Sequence, residues 1–264
     1  MDPATAPPRG AGVPGRCGRA GGRAPRAIGP APGHRDGLGR AGGRARVQHP
    51  GHGGADLLAD LALAHGADVL VLPETSLDTA RATATQLAAA GRPMQVLTAE
   101  GHHPAIAGTA LLVSDRVGTY PTSEPLATQL GSLRADPREP AGSPVIVAAH
   151  PLAPISRGSM ATWRTETRLI AGTCAGTPGA IVAGDLNSTL DHPGLRDLGP
   201  CVDAARASGA AALGTWPASV PALLAAPIDH VLVDGRAWRV VGFDVLPRTG
   251  GSDHRPVLAT LEPR

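Results

Sequence analysis

Acidic, amide and imidazole side chains stand where five short apolar segments of the sequence begin or end. They are Glu74 after VLVLP, His150 after VIVAA, Asp185 and Asn187 after IVAG, Asp229 just before VLV, and Asp253 with His254 in GGSDHRPV. Strand ends of one sheet system can converge on one edge, where several carboxylates would repel one another without a cation. Oxygen ligands without thiolates or paired histidines favour Mg²⁺ or Mn²⁺ over zinc. The pattern therefore predicts a hard divalent cation at this edge.

Taken singly, each of these residues is more typical of a turn or a helix cap than of a catalytic site. The Ser252-Asp253 pair, for example, is ordinary turn chemistry after two glycines. The functional interpretation therefore depends on all five strand ends meeting in one place.

The segments that would position these side chains mix helices with strands. Apolar spacing and stop signals predict helices within residues 55–65, 81–91 and 162–174, and a short helix at 192–198. Short apolar runs predict strands at 69–72, 108–114, 143–150 and 179–187, followed by alternating strands and turns over 228–261. This order predicts an α/β or α+β sandwich.

The first 50 residues have a different composition from the rest of the chain. They contain 12 Gly, 8 Pro, 9 Ala and 9 Arg, with almost nothing larger than alanine to bury. We expect this segment, residues 1–50, to be disordered, and residues 55–264 to form the folded domain. Its two GxGxxG matches follow no strand and are discarded. An artefact of translation from a GC-rich gene and a genuine low-complexity linker both remain open.

The two parts of the chain also differ in charge. Residues 1–50 hold 9 arginines and 2 acids, about +7, whereas the remainder holds 15 arginines and 20 acids, about −5. An acidic domain with three Trp, one Tyr and one Phe lacks both the phosphate-binding charge and the stacking platforms of a protein that captures long nucleic acids. This composition therefore disfavours nucleic acid as a partner and disfavours a nucleic-acid-binding role for the arginine tail.

The spacing of the cysteines and the hydropathy of the chain lead to expectations about disulfide bonds, membrane spans and cellular compartment. Cys17, Cys174 and Cys201 are far apart and odd in number, which predicts neither a disulfide framework nor a zinc site. The sequence contains no long apolar run and no secretory signal. As written, the chain is expected to be a cytoplasmic monomer without a membrane span. It would be membrane-associated if a corrected upstream reading frame encoded transmembrane helices.

The ordered motifs resemble those of the endonuclease/exonuclease/phosphatase family, which is related to deoxyribonuclease I. They are PETS with Glu74, AAHPLAP with His150, GDLN with Asp185 and Asn187, IDHVLV with Asp229, and GGSDHRPV with Asp253 and His254. The likeness runs from about residue 55 to the C-terminus, and GTWPA at 214–218 resembles bacterial members of the family. It implies a four-layered sandwich of two mixed β-sheets flanked by helices.

The resemblance also implies roles for individual residues. Glu74 would be the principal Mg²⁺ or Mn²⁺ ligand, with Asp253 near the metal. Asp185 would orient or deprotonate the attacking water. The phosphate would be contacted by Asn187, His150 and His254, with His254 held in its tautomer by Asp229. No role is assigned to His102, His103, His230 or Arg255.

One departure from the family pattern concerns the first strand. Family members begin with a strand ending in a metal-binding asparagine, whereas residues 44–54 offer Gln48, His49 and His52 but no asparagine and no apolar strand. The first strand is therefore expected to be missing, leaving its position in the sheet empty and weakening metal binding.

Two functions remain open at this point. The first is a metal-dependent phosphoric ester hydrolase, acting as a phosphodiesterase, nuclease or phosphatase on a substrate of unknown size. The second is a catalytically impaired relative that binds a phosphorylated ligand or a partner. Substrate identity is not encoded in the motifs, since it depends on the loops between them.

Overall fold

Short apolar and β-branched runs separated by turns form most of the strands, and longer alanine- and leucine-rich runs form the helices. The computed structural model describes residues 26–28 and 53–264. The strands are β1 (Arg26–Ile28), β2 (Val69–Leu72), β3 (Met94–Ala99), β4 (Thr109–Ser114), β5 (Ser123–Leu126), β6 (Ser132–Ala135), β7 (Ile146–Ala149), β8 (Ile181–Asp185), β9 (Cys201–Asp203), β10 (Asp229–Asp234), β11 (Trp238–Val245) and β12 (Val257–Pro263). The helices are α1 (Gly53–His65), α2 (Leu77–Ala89), α3 (Met160–Gly176), α4 (Ala204–Ala207) and a 3₁₀ helix (Ala222–Leu224).

The strands form two six-stranded mixed sheets. The first has the order β11-β12-β1-β2-β4-β3, and the second has the order β5-β6-β7-β8-β10-β9. Each sheet contains one parallel pair, β1 with β2 and β7 with β8, and its other pairs are antiparallel. The parallel pair β7–β8 is joined through α3, as a crossover connection requires.

Three apolar clusters hold the layers together. The central cluster joins the facing sides of the two sheets and includes Val71, Ile146 and Val231. A second cluster packs α1 and α2 against the outer face of the first sheet, and a third packs α3 against the outer face of the second. The fold is therefore the expected α/β sandwich of two packed sheets flanked by helices. No described helix has the length and apolar character that a membrane crossing requires.

A strand occupies the position that the sequence analysis expected to be empty. Arg26–Ile28 pairs with β2 in parallel and with β12 in antiparallel orientation, so it fills the gap between them. The strand was missed because a three-residue run inside a glycine- and proline-rich segment carries no periodic signal. The expectation of disorder for residues 1–25 and 29–50 falls outside the described residues, as do Gln48, His49 and His52.

Two smaller expectations were also wrong. Residues 192–198 form turns rather than a short helix. In this stretch Gly194 is packed so closely on Thr167 of α3 that an added Cβ would lie 2.6 Å from its methyl group. Tertiary packing therefore overrides the local helical pattern at this position.

The second correction is a disulfide bond between Cys174 and Cys201. Cys174 lies near the end of α3 and Cys201 begins β9, with Cα atoms 6.3 Å apart. Both are buried in the cluster between α3 and the second sheet. The pairing was not predicted because it depends on α3 crossing the sheet, which spacing along the sequence does not show.

Candidate active site

The polar strand ends meet at one open edge of the sandwich, between the two sheets. In β7 and β8 the residues that face the central cluster are Ile146 and Ala148, and Ile181 and Ala183. Because side chains alternate along a strand, His150 and Asp185 continue the same rows toward that edge. Asp229 begins β10 directly opposite Asp185 in the antiparallel ladder. The period of two therefore delivers these three side chains to one place.

Glu74 enters the site from the first sheet. It follows β2 and Pro73, and its backbone has φ 53°, a left-handed conformation that is uncommon outside glycine. Its Oε1 lies 3.9 Å from Nε2 of His150, across the gap between the sheets. The same His150 nitrogen lies 3.9 Å from Oδ2 of Asp185. Backbone conformations of this kind cluster at functional sites, and here one turns a carboxylate toward the opposite sheet.

Asp185, Asp229 and His254 form the centre of the site. Nδ1 of His254 is 2.9 Å from Oδ2 of Asp229, and Nε2 of His254 is 3.9 Å from Oδ2 of Asp185. Asp185 and Asp229 are buried, whereas the His254 side chain is 16% exposed and lines the cleft. The Nδ1 atom of the imidazole is thus held by a buried carboxylate, and its Nε2 atom lies toward Asp185.

The two imidazoles of the site have opposite charge preferences. Burial and the neighbouring charge of His254 lower the pKa of His150 to about 3, so this ring is neutral. Burial opposes charge on His254 as well, but Asp229, Asp185 and Asp253 outweigh it and raise its pKa to about 10. His254 is therefore an imidazolium at neutral pH.

Asp185 carries a carboxyl group whose ionisation is costly. Burial first, and then the negative charges of Asp229 and Glu74, raise its pKa to about 7, against the stabilising effects of His254 and the Asn187 amide. That amide donates to Oδ1 of Asp185 at 2.7 Å. An excess of buried negative charge of this kind is relieved by a cation.

Backbone conformation and close packing explain why the GDLN motif contains an asparagine at 187 and a glycine at 184. Asn187 has φ 46°, a conformation that asparagine tolerates better than most residues, and its Nδ2 donates to the carbonyl of Pro151 at 3.0 Å. Gly184 has φ 146°, and a Cβ on it would lie 1.9 Å from the carbonyl oxygen of Ala149. The glycine therefore permits close approach of β7 and β8 where His150 and Asp185 emerge.

Asp253 is held by a tryptophan from a neighbouring loop. Nε1 of Trp216 donates to Oδ2 of Asp253 at 3.1 Å, and the Ala218 amide donates to the Asp253 carbonyl at 2.7 Å. Arg255, to which no role was assigned, donates to the carbonyls of Ala218 and Val220 in the same loop. Arg255 thus anchors the loop that positions Asp253.

Two buried groups outside the predicted site, Glu166 and His230, hold segments next to it. Glu166 of α3 accepts hydrogen bonds from the Gln129 amide at 3.0 Å and the Leu152 amide at 2.7 Å, joining two loops at the cleft. His230 lies 2.8 Å from both Asp203 and the Ser188 carbonyl. These contacts were not predicted, because a glutamate within a helix and a histidine within a strand give no distinguishing signal.

The donor set fits a hard cation. Asp185, Asp229 and His254 offer ligand atoms that lie within 4.8 Å of one another, and Oδ1 of Asp229 is buried without a hydrogen-bond partner among the described residues. Glu74 and Asp253 add carboxylates that line the same cleft. However, the Nδ1 atom of His254 is engaged with Asp229, so the carboxylates are the better candidates for holding a metal.

The site opens into a cleft of about 420 Å³. All the predicted site residues line it except Asp229, which lies behind His254. His103, which like His102 is exposed as expected, contributes to its rim. The cleft therefore places carboxylates, an amide and two imidazoles against one space large enough for a small substrate.

Several solved structures are similar to this chain in fold. The endonuclease/exonuclease/phosphatase from Beutenbergia cavernae matches with a TM-score of 0.67 and 19% identity over 91% of this chain and 72% of its own. TDP2 of D. rerio, complexed with a single-strand DNA product, matches with a TM-score of 0.65 and 14% identity over 90% and 98% of the two chains. The mannosyl-6-phosphatase of Bacteroides thetaiotaomicron matches with a TM-score of 0.63 and 14% identity over 90% and 99%.

These structural matches establish the fold alone, since their sequence identities are low. No curated protein sequence matches the chain significantly. The sequence profile described as Endonuclease/Exonuclease/phosphatase family, in contrast, matches residues 43–254. Because that match spans most of the chain, the chain belongs to the endonuclease/exonuclease/phosphatase family.

Proposed function

We propose that this chain is a divalent-metal-dependent hydrolase of phosphate esters. The observation that carries the proposal is the convergence of three carboxylates, Glu74, Asp185 and Asp253, with the imidazolium of His254 in one cleft. Family members are generally phosphoesterases that depend on divalent metals, which agrees with this chemistry. A phosphate ester needs a positioned water and donors aimed at its oxygens, and the cleft contains groups of both kinds.

Asp185 is the group proposed to act on water. It is buried and fixed by the Asn187 amide, so it can hold a water in one orientation or take its proton. Its elevated pKa brings the carboxylate close to the operating range of a general base. The opposing His254 Nε2 lies 3.9 Å away, so attack and charge stabilisation would occur side by side.

The phosphate is proposed to be held by His254, Asn187 and His150. His254 supplies a positive charge, and Asp229 fixes its tautomer and ring orientation through Nδ1. Asn187 retains a second amide hydrogen after its contact with Pro151. His150 is neutral and supplies a hydrogen-bonding nitrogen without adding charge. The phosphate would thus be contacted by one positively charged side chain and two neutral ones.

Glu74 and Asp253 are the proposed metal ligands. A bound Mg²⁺ or Mn²⁺ would offset the negative charge that develops on the phosphate during attack. Glu74 is displayed by its left-handed backbone, and Asp253 is oriented by Trp216. Asn187 is the only asparagine in the sequence, so no asparagine is available near the first strand to add to this set.

The alternative function is a family member that binds a phosphorylated ligand without turnover. It is favoured by the absence of an asparagine before residue 187. The presence of β1 weakens it, because the sheet position beside β2 is filled. Among the structural relatives, one is described with a DNA product and another as a mannosyl-6-phosphatase, so small and polymeric phosphate esters both belong in the test.

The test is hydrolysis of bis-p-nitrophenyl phosphate by the full chain with and without metal. We expect turnover with Mg²⁺ or Mn²⁺, loss of turnover in EDTA, and a higher metal requirement in Glu74→Gln. Glu124→Gln is a matched control, because Glu124 lies exposed in β5 and does not line the cleft. Equal activity in EDTA would exclude the metal mechanism. Binding of a phosphorylated ligand without any turnover would support the alternative.

A further inference from the structure

Much of the lining of the cleft is apolar, although several charged groups line it as well. This apolar wall consists of Ile106, Leu130, Leu152, Ile155, Trp216 and Ile228. Its residues come from separate loops of both sheets, so the apolar surface is assembled by the fold and not by a single segment. A wall of this kind matches a group without charge next to the reacting phosphate.

Large apolar side chains are also exposed on segments that contribute residues to the cleft or lead into it. Ile155 is 81% exposed in the loop after β7, and Leu223 and Leu224 are 75% and 77% exposed in the 3₁₀ helix. That helix leads within two residues to Ala226, which lines the cleft and pairs with Trp216. We call Ile155, Leu223 and Leu224 the apolar rim. Exposed side chains of this size beside a binding cleft are typical of contact with an apolar partner.

The small number of basic side chains in the cleft argues against a polyanionic substrate. No arginine lines the cleft within the part of the chain that the structure describes, and the sequence contains no lysine. Among the described residues, the basic side chains that line it are imidazoles, His254 among them. A polyanionic strand requires a series of basic contacts along its backbone, whereas one phosphate requires few. The described cleft is therefore complementary to a single phosphate with an uncharged, apolar substituent.

We propose that the apolar wall holds the aliphatic part of a lipid phosphate ester, and that the apolar rim contacts the lipid surface carrying it. This inference rests on the proposed hydrolase function, since it assigns a substrate class to the same site. The phosphate lies against His254 and the carboxylates, and the chain extends along the wall toward Ile155. Water attacks phosphorus and forms a new P–O bond, the P–O bond to the leaving alcohol breaks, and the alcohol leaves with a proton from that water.

The first experiment compares p-nitrophenyl alkyl phosphates that differ only in the alkyl group, methyl against hexyl, below micellar concentrations. With Mn²⁺ present, we expect kcat/KM to be ~10-fold or more higher for the hexyl ester, because each buried methylene contributes to binding. Equal values for the two esters would overturn the inference while leaving the hydrolase function intact. Faster cleavage of a short oligonucleotide than of the hexyl ester would also overturn it.

The second experiment tests the apolar rim. Wild-type chain should sediment with phosphatidylcholine vesicles, and the double variant Ile155→Asn, Leu224→Asn should lose at least half of this binding and reduce the hexyl-to-methyl ratio ~3-fold or more. Val241→Asn is the matched control, since Val241 is exposed in β11 and does not line the cleft. Absence of vesicle binding by the wild type would contradict contact with a lipid surface.

A binding measurement separates the two proposals if no ester is turned over. Hexylphosphonate should raise the melting temperature of the wild-type chain more than methylphosphonate does, and the double rim variant should reduce this difference. That result, without turnover, would refute the hydrolase function but support the apolar site. Equal shifts with both phosphonates would refute the apolar site itself.

Discussion

His150 and His254 illustrate how residue environment sets chemistry in this cleft. Both imidazoles face Asp185 at 3.9 Å. His254 is paired with the buried Asp229 and stays protonated, whereas His150 lacks such a partner at close range and is neutral. The positive charge is therefore confined to the side of the site where Asp229 can stabilise it.

The first residue-scale prediction concerns the reacting groups. Asp185→Asn removes the carboxylate that acts on water, and His254→Gln removes the imidazolium, so each should reduce kcat/KM by ~10²-fold or more. The measurement is metal-dependent turnover, together with thermal unfolding to confirm the fold. Asp191→Asn is the control, since Asp191 is exposed and outside the cleft. Near-normal activity in either site variant would contradict the assigned role.

The second residue-scale prediction concerns pH and stability away from the site. Hydrogen bonding to Arg236 and to the Gly179 amide outweighs burial and lowers the pKa of Asp234 to about 2. Because its folded pKa is below its unfolded value, Asp234 stabilises the fold above pH ~4, and this contribution is lost as pH falls toward ~2. Solvent screening limits the effect to the order of 1 kcal/mol.

Urea unfolding at pH 7 and at pH 2.5 measures this effect. The loss of unfolding free energy on acidification should be smaller in Asp234→Asn than in the wild type. Asp244→Asn provides the comparison, since Asp244 is exposed on β11. An identical acid-induced loss in wild type and Asp234→Asn would show that Asp234 does not contribute.

At the scale of elements, α3 organises the cleft without lining its catalytic centre. Glu166 joins the loops that contain Gln129 and Leu152, and Trp163 donates from Nε1 to the Asn187 carbonyl at 3.0 Å. The loop conformations at the cleft therefore depend on one helix packed on the outer face of the second sheet. This explains how residues from different loops maintain a common geometry.

The element-scale prediction is that Glu166→Ala loosens these loops. Two backbone amides would lose their buried acceptor, which should lower the free energy of unfolding by ~2–4 kcal/mol and reduce kcat/KM by ~10-fold. Chemical denaturation and turnover measure the two effects. Glu139→Ala, an exposed loop residue, should change neither. Unaltered stability and activity in Glu166→Ala would show that α3 does not position the cleft.

Sequence patterns predicted the elements in which a short local signal decides the structure. VLVL, IVAA and IVAGD became β2, β7 and β8 because each is an apolar run ended by a turn, and the polar residues after them could be identified for the same reason. Arg26–Ile28 had no such signal, since its pairing with two neighbouring strands determines its conformation. Glu166 and His230 could not be assigned because their partners come from distant loops.

At the scale of the molecule, the site lies where the two sheets open toward solvent. Its geometry depends on the helix layer staying packed against the second sheet. The Cys174–Cys201 disulfide joins α3 to β9 within the cluster beneath the second sheet. Disulfides are typical of proteins in oxidising compartments. Here the bond links the helix behind the cleft to the edge strand of the second sheet.

The whole-molecule prediction is that this bond forms and stabilises the fold. Cys174→Ser with Cys201→Ser should lower the free energy of unfolding by roughly 2–4 kcal/mol. Mass spectrometry after alkylation of the unreduced, unfolded chain should find one alkylated cysteine, Cys17. A reducing agent is the control, since it should lower the stability of the wild type but not that of the double variant. Three alkylated cysteines in protein prepared under oxidising conditions would contradict the bond.

The proposed function requires that water attacks the phosphorus of an ester in a metal-dependent reaction at this cleft. Hydrolysis of p-nitrophenyl methyl phosphate in ¹⁸O-labelled water tests it most directly, with the product phosphate analysed by mass spectrometry. We expect one labelled oxygen in the methyl phosphate per turnover with Mg²⁺ or Mn²⁺ present, and none in EDTA. Label in the nitrophenol, or incorporation that is independent of metal and unaffected by Asp185→Asn, would contradict it.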